Sequence, residues 1–270
     1  MRLGIGSYTY TWAIGVAGHP PKVALTPFDL LERASRLGIK VVQFCDNLPL
    51  TELSAKDLDR FDQERRQRDI QIELGTRGLD AGNLQQYLAL CQRLGSPILR
   101  LVIDRAGDEP SAEEALNRLK PLVRDCAAAG VRLAIENHDR FSSGTLADLV
   151  EQLGRRYVGI CLDTVNSFGA LEGPDVVVRR LGEYVVCLHV KDFTIRRVSH
   201  SMGFVVEGCA AGQGRLDVPW LLTQLKGCPN PFNAILETWV TPSDSLQETI
   251  ERERTWAEQG VAYLRRFIPG

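Results

Sequence analysis

Eight short apolar runs, each followed by a longer amphipathic stretch, recur from one end of this 270-residue chain to the other. They are LGIGSY (3–8), VVQFCD (41–46), IQIELG (70–75), ILRLVI (98–103), RLAIEN (132–137), VGICLD (158–163), VVCLHV (185–190) and NAILET (233–238). Each is near six residues and almost continuously apolar, as a parallel strand covered on both faces requires; a half-buried strand would alternate. Regular β–α alternation implies a parallel sheet, and eight units in a chain of this size suit one (β/α)8 barrel over residues 1–270. An open doubly wound sheet would place a Gly-rich phosphate loop after its first strand. Here the first run leads into SYTYTW. The only G-x-G sequences are Gly4-Ile5-Gly6, inside that run, and Gly212-Gln213-Gly214 far downstream, so dinucleotide binding gains no support.

The stretches between the runs carry helix signals. In 26–38, Thr26 is placed to cap, Pro27 to open and Gly38 to stop a helix. In 111–130, Ser111 precedes an acidic first turn and Gly130 follows the last apolar position, while Pro121 predicts a kink or a break. NLQQYLALCQRLG, TLADLVEQLG, PDVVVRRLGE and DVPWLLTQLKG follow the same formula. With 44% hydrophobic residues the chain can fill a core of this kind, which excludes a disordered chain.

Net charge is −2, from 32 basic and 34 acidic residues, so no global field draws the chain to nucleic acid or an anionic membrane. Seven cysteines, an odd number without a CxxC pair, read as small buried hydrophobes in a reducing compartment. No apolar run approaches the roughly 20 residues of a membrane span. The N-terminus lacks a basic segment followed by an apolar one. The expectation is a cytoplasmic protein with no membrane and no nucleic-acid partner; a homo-oligomer stays open.

In a barrel, functional side chains project from the C-terminal ends of the strands. The last four runs end on Glu136, Asp163, His189 and Glu237, each following an apolar run at the same height. A lone Glu there is usually a helix cap and a lone His a satisfied core residue. Four in succession instead focus three carboxylates and one imidazole on a single point. Like charges that close raise one another's pKa steeply, and one divalent cation relieves the conflict. Oxygen-rich ligation with one imidazole favours Mn²⁺, then Mg²⁺ or Co²⁺, with Zn²⁺ also accommodated.

IENH (135–138), LDTVN (162–166), HVKD (189–192), the G-x-G-x-x-D of Gly212, Gly214 and Asp217, and LET (236–238) together resemble the xylose-isomerase-like TIM-barrel superfamily of sugar phosphate isomerases and epimerases. The resemblance implies that Glu136, Asp163, His189 and Glu237 bind the metal. It also implies that Glu136 and Glu237 exchange the substrate proton as an acid–base pair. The expected activity is metal-dependent isomerisation or epimerisation of a small sugar, keto acid or sugar derivative, through an enediolate. A lyase on a keto sugar or inosose can use the same centre. Two weaker readings are an endonuclease IV-like repair enzyme, disfavoured by only four histidines, and a non-catalytic sugar-binding protein.

His138, Asn166, Lys191, Trp12 and Trp239 are candidate substrate contacts; Lys191 has an alternative partner in Asp192, and the two tryptophans can wall a sugar face. Residues 193–211, with Arg196, Arg197 and His200, and Arg215 nearby, read as a solvated loop or a lid. Arg77, Arg100 and Asp104 are charged where a strand buried on both faces should be apolar; they mark a substrate preference outside the common motifs.

Overall fold

A computed structural model describes residues 1–269, and all eight apolar runs form strands in it. They are β1 (Leu3–Gly6), β2 (Val41–Phe44), β3 (Gln71–Arg77), β4 (Ile98–Val102), β5 (Arg132–Glu136), β6 (Val158–Asp163), β7 (Val185–Val190) and, after two further strands, β10 (Ala234–Leu236). All their pairings are parallel, and the order β1-β10-β7-β6-β5-β4-β3-β2 closes on itself as a TIM barrel. The intervening helices are α1 (Thr11–Ile14), α2 (Pro27–Arg36), α3 (Ala55–Gln67), α4 (Ala81–Leu94), α5 (Ala112–Ala129), α6 (Ser143–Leu153), α7 (Pro174–Leu181), α8 (Val218–Leu225) and α9 (Leu246–Leu264).

Helix starts follow capping chemistry. Thr26 accepts from the Asp29 N–H while Asp29 accepts from the Thr26 N–H, and Ser111 and Glu114 repeat the exchange at α5. Helix α5 runs unbroken through Pro121, contrary to the break its sequence suggests. Pro121 lies on the exposed face, so the Asn117 carbonyl that loses its donor can turn to water, while Leu119 and Leu122 anchor the buried face.

The second departure is at 193–211. This segment is largely an antiparallel hairpin, β8 (Asp192–Arg197) with β9 (Phe204–Cys209), attached directly after β7. Arg196 pairs with Glu207, and the Arg197 guanidinium stacks on the Phe204 ring, so both bases serve the hairpin itself. His200 sits in its turn, accepting from the Met202 N–H.

Period-two alternation divides each barrel strand between two cores. Leu3, Ile5, Leu133, Ile135 and Leu188 face the helices in the large outer core. Val41, Ile98, Ala134, Cys161, Val186, Cys187 and Ile235 form a small separate cluster inside the barrel. The inner set needs room. The register slips between Ile160 and Cys161, so that Cys161 faces Cys187 and Val186 becomes an extra residue. Val186 packs over Gly159, where a Cβ would lie 2.5 Å from its Cγ1 and 2.7 Å from the Tyr184 carbonyl. Gly159→Ala should therefore destabilise the barrel by about 1–3 kcal/mol through overpacking, read as a lower midpoint in thermal unfolding. An unchanged midpoint would show that the bulge yields freely.

Candidate metal centre

One step above the inner apolar cluster, each strand contributes its next inward side chain. Ala134 is followed by Glu136, Cys161 by Asp163, Cys187 by His189 and Ile235 by Glu237. Their register is a staircase rather than one level: Glu136 lies beside Cys161, Asp163 beside His189, and His189 beside Ile235. Strand tilt in a closed barrel sets this stagger, and the side chains still converge.

All four are buried, with 3% exposure or less. Donor atoms of Glu136, Asp163 and His189 lie within 4.8 Å of one another. His189 Nδ1 is 3.2 Å from Glu237 Oε1, 3.4 Å from Glu136 Oε2 and 3.8 Å from Asp163 Oδ2. Neither His189 Nδ1 nor Glu237 Oε1 has a hydrogen-bond partner. Asp163 Oδ1 is held by the N–H groups of Val165 and Asn166, which leaves Oδ2 turned inward. Asn137 stitches the two strand ends, accepting from the Asp163 N–H and donating to its carbonyl and to Ser167.

Two cations of the chain itself enter this cluster. Arg100, only 3% exposed, ion-pairs through Nε with Glu136 Oε2, and its Nη1 reaches Asp46 at 3.3 Å. Lys191 Nζ lies 2.8 Å from Asp163 Oδ2 and 2.8 Å from Glu237 Oε2. The alternative partner for Lys191, Asp192, does not pair with it. Asp192 instead accepts the N–H groups of Phe193, Gly212, Gly214 and Leu216, folding the loop back under the hairpin. That contact explains the glycines: a Cβ at Gly214 would enter the Asp192 carboxylate, and Gly212 has a left-handed φ of +87 against the Tyr263 ring.

The electrostatics follow from these contacts. Burial alone would raise the Glu136 carboxyl, but Arg100, His189 and Lys191 outweigh it and hold it down at about 2. Burial alone would lower His189, but the Glu237 and Glu136 carboxylates push it up to about 10. Lys191 is likewise held charged by Asp163 and Glu237 against its burial.

Three carboxylates against Arg100 and Lys191 leave one negative charge, which the protonated His189 meets until a cation displaces its Nδ1 proton. An oxygen-rich donor set with bare, buried donor atoms fits a divalent ion held by Glu136, Asp163, His189 and Glu237.

Other expected contacts divide. Asn166 joins the cluster, donating to Glu136 Oε1 at 2.8 Å and accepting from Lys191. Trp12 is half-buried and fixed, its Nε1 donating to the Val240 carbonyl and its backbone N–H to Glu253. Trp239 is 42% exposed, with its backbone against Gly208 of the hairpin. His138 stays outside, paired with Asp139 beside a cavity of about 220 Å³ that Arg77, Asp104 and Arg140 also line. Asp104 is paired with Arg140. Gln43 and Glu73, buried inside the barrel beneath His189, were not singled out by the sequence patterns; a Gln and a Glu inside otherwise apolar strand runs were the available signal.

A family profile described as the xylose isomerase-like TIM barrel matches residues 31–267. The chain is similar to 3-oxo-isoapionate decarboxylase of Pectobacterium atrosepticum, with 30% identity over 98% of this chain and 95% of that protein. A crystal structure of D-psicose 3-epimerase with D-tagatose, from Clostridium cellulolyticum, superposes with a TM-score of 0.72 at 14% identity, covering 99% of each chain. A xylose isomerase-like TIM barrel protein of Mycobacterium smegmatis in complex with magnesium gives 0.68 at 15% identity over 97% of each.

Protein purified without chelator should carry about one divalent ion per chain by elemental analysis, as one mononuclear donor set implies. Asp163→Asn combined with His189→Ala should empty the centre while the circular dichroism spectrum persists; full occupancy in that variant would sink the ligand assignment. Because His189 keeps its Nδ1 proton up to about pH 10 without a metal, uptake must expel it, so apparent affinity should rise with pH from neutrality towards that value.

Proposed function

The chain belongs to the xylose isomerase-like TIM barrel family, and we propose that it is a divalent-metal-dependent enzyme that decarboxylates a small 3-oxo sugar acid. The observation that carries this reading is the state of Glu136. Both its oxygens are engaged, Oε2 by Arg100 and Oε1 by Asn166, and its pKa is held low. A general base works best with a pKa near the operating pH, so this carboxylate is suited to ligation and poorly suited to taking a proton from carbon. Loss of CO₂ from a 3-oxo acid needs no carbon acid to be deprotonated. The carbon–carboxylate bond breaks, its electron pair moves towards the 3-oxo group, and a proton is then delivered to the carbon left behind. The similarity to 3-oxo-isoapionate decarboxylase over nearly the whole chain supports the same class.

Glu136, Asp163, His189 and Glu237 would hold a divalent ion, which would supply Lewis acidity where negative charge develops on the substrate. The chain's own groups do the rest. Arg100 and Asn166 clamp Glu136 so that its geometry does not change as charge moves. Lys191, fixed between Asp163 and Glu237, keeps 13% of its side chain exposed where those two carboxylates keep 2% or less, and so presents an ammonium to the mouth. Its two carboxylate partners keep it charged, so it can donate a proton to the new carbanionic carbon but cannot act as the initiating base. Burial excludes bulk water from competing in that step.

One observation favours the second reading, isomerisation or epimerisation. Glu237 Oε1 is bare and free to take a proton beside a carbonyl. With Glu136 clamped, that chemistry would be one-base.

The test is to incubate a panel of 3-oxo sugar acids and ketoses with metal-loaded protein. The expected result is CO₂ release from a 3-oxo acid, with one deuteron placed on the adjacent carbon in deuterated water. Conversion of a ketose without loss of mass, and no CO₂ from any acid, would overturn the decarboxylase reading in favour of the second. Lys191→Met should lower kcat by about 10²–10⁴-fold, the range for a lost general acid, while Mn²⁺ still binds.

A further inference from the structure

Barrel interiors are ordinarily filled by Val, Ile and Leu, and uncompensated burial of an amide or a carboxylate is costly. This barrel nonetheless buries Gln43 completely and Glu73 almost completely, directly beneath the centre. Gln43 Oε1 lies 2.8 Å from His189 Nε2, and Gln43 Nε2 donates to Glu73 Oε2 at 3.2 Å. Asn233 Nδ2 donates to Glu73 Oε1 at 2.8 Å, and the Arg2 backbone N–H donates to Asn233 Oδ1 at 3.1 Å. Every amide and carboxylate atom along this line has a partner, whereas His189 Nδ1, on the other side of the same ring, has none.

With Glu73 ionised, the direction of each bond is fixed. A backbone N–H can only donate, so Asn233 must turn its oxygen to Arg2 and its NH₂ to Glu73. Ionised Glu73 can only accept, so it also takes the Gln43 NH₂, and the Gln43 oxygen is left for His189. His189 must then carry its proton on Nε2, which leaves the Nδ1 lone pair for the ion. Flipping the Gln43 amide would set its oxygen against a Glu73 oxygen. It would also favour the opposite imidazole tautomer, with a proton where the metal belongs. We propose that Gln43 and Glu73 are positioning residues that fix the His189 tautomer and thereby set how tightly the centre holds its ion. The inference rests on reading the four strand-end residues as a metal centre, and it is independent of which reaction follows.

Mn²⁺ binding, followed by the paramagnetic resonance of the free ion, tests this without reference to activity. Burial pushes the Glu73 carboxyl up to about 8, so titrations belong above that pH, where its oxygens only accept. Gln43→Met keeps the volume and removes the acceptor; it should weaken Mn²⁺ binding about 10–100-fold, the usual cost of losing the partner of a ligating His. Gln43→Glu combined with Glu73→Gln exchanges donor and acceptor, keeps an acceptor against His189, and should bind close to wild type. Should Gln43→Met fail to fold because Glu73 is stranded, Gln43→Met with Glu73→Gln removes the stranded charge and should show the same loss. Nitrogen NMR of the magnesium-loaded wild type should place the His189 proton on Nε2. Wild-type affinity in a folded Met variant overturns the proposal, as does equal weakening by the Gln43→Glu with Glu73→Gln exchange and by Gln43→Met, or a proton found on Nδ1. Wild-type protein that takes up no Mn²⁺ overturns the metal centre first and this inference with it.

Discussion

Three carboxylates gathered within a few ångströms and shut away from water are the constraint on which the mouth of this barrel depends. At an effective dielectric of about 20, two like charges about 4 Å apart repel by about 4 kcal/mol. Three such pairs approach the whole stability of an ordinary domain, about 5–15 kcal/mol. The cluster must therefore be neutralised by protonation or by cations. Arg100 and Lys191 supply two positive charges from within the chain, and the depressed Glu136 carboxyl shows that pairing wins over protonation there. They leave one negative charge, which without a metal the protonated His189 imidazole meets, its Nδ1 3.2 Å from Glu237 Oε1. A divalent ion taking the place of the His189 proton would meet the same demand, which is why this network of ion pairs also fits a metal.

The same pairing divides labour among carboxylates that look equivalent along the chain. Glu136 is clamped by Arg100 and Asn166, Asp163 by two backbone N–H groups and Lys191, and Glu237 by Lys191 and His189. A two-base exchange between Glu136 and Glu237, as the family resemblance implies, would need both ends comparably free. The geometry instead engages both oxygens of Glu136 and sets the Lys191 ammonium between Asp163 and Glu237.

Much of this was legible in the sequence, because strands buried on both faces write themselves as continuous apolar runs. The eight runs located every barrel strand to within a few residues, and the polar residue closing each of the last four located Glu136, Asp163, His189 and Glu237. Pairing across the barrel was not legible. Arg100 stood out as a charge in a buried strand, but nothing local ties it to Glu136, 36 residues on. Lys191 adjoins Asp192, yet neighbours along a strand point to opposite faces, so Lys191 turns inward while Asp192 turns to the loop. The hairpin at 192–209 escaped because several of its side chains, Ile195, Phe204 and Val206 among them, remain exposed; without a buried face it carries no clean alternation.

Gln43 and Glu73 were hidden for the complementary reason: they sit on the inward face of strands whose overall apolar character identified them. A barrel that needed only stability would fill those positions with aliphatic side chains, since replacing buried polar pairs by apolar groups of similar shape is often neutral or better. Retaining them makes sense where orientation matters more than burial energy. An imidazole packed among aliphatics could carry its proton on either nitrogen, and nearby carboxylates would draw it to Nδ1. A line of fixed donors and acceptors that starts at the Arg2 backbone opposes that pull from the far side of the ring. The polar interior and the acidic mouth are thus one arrangement, in which the lower layer determines which His189 nitrogen the upper layer can use.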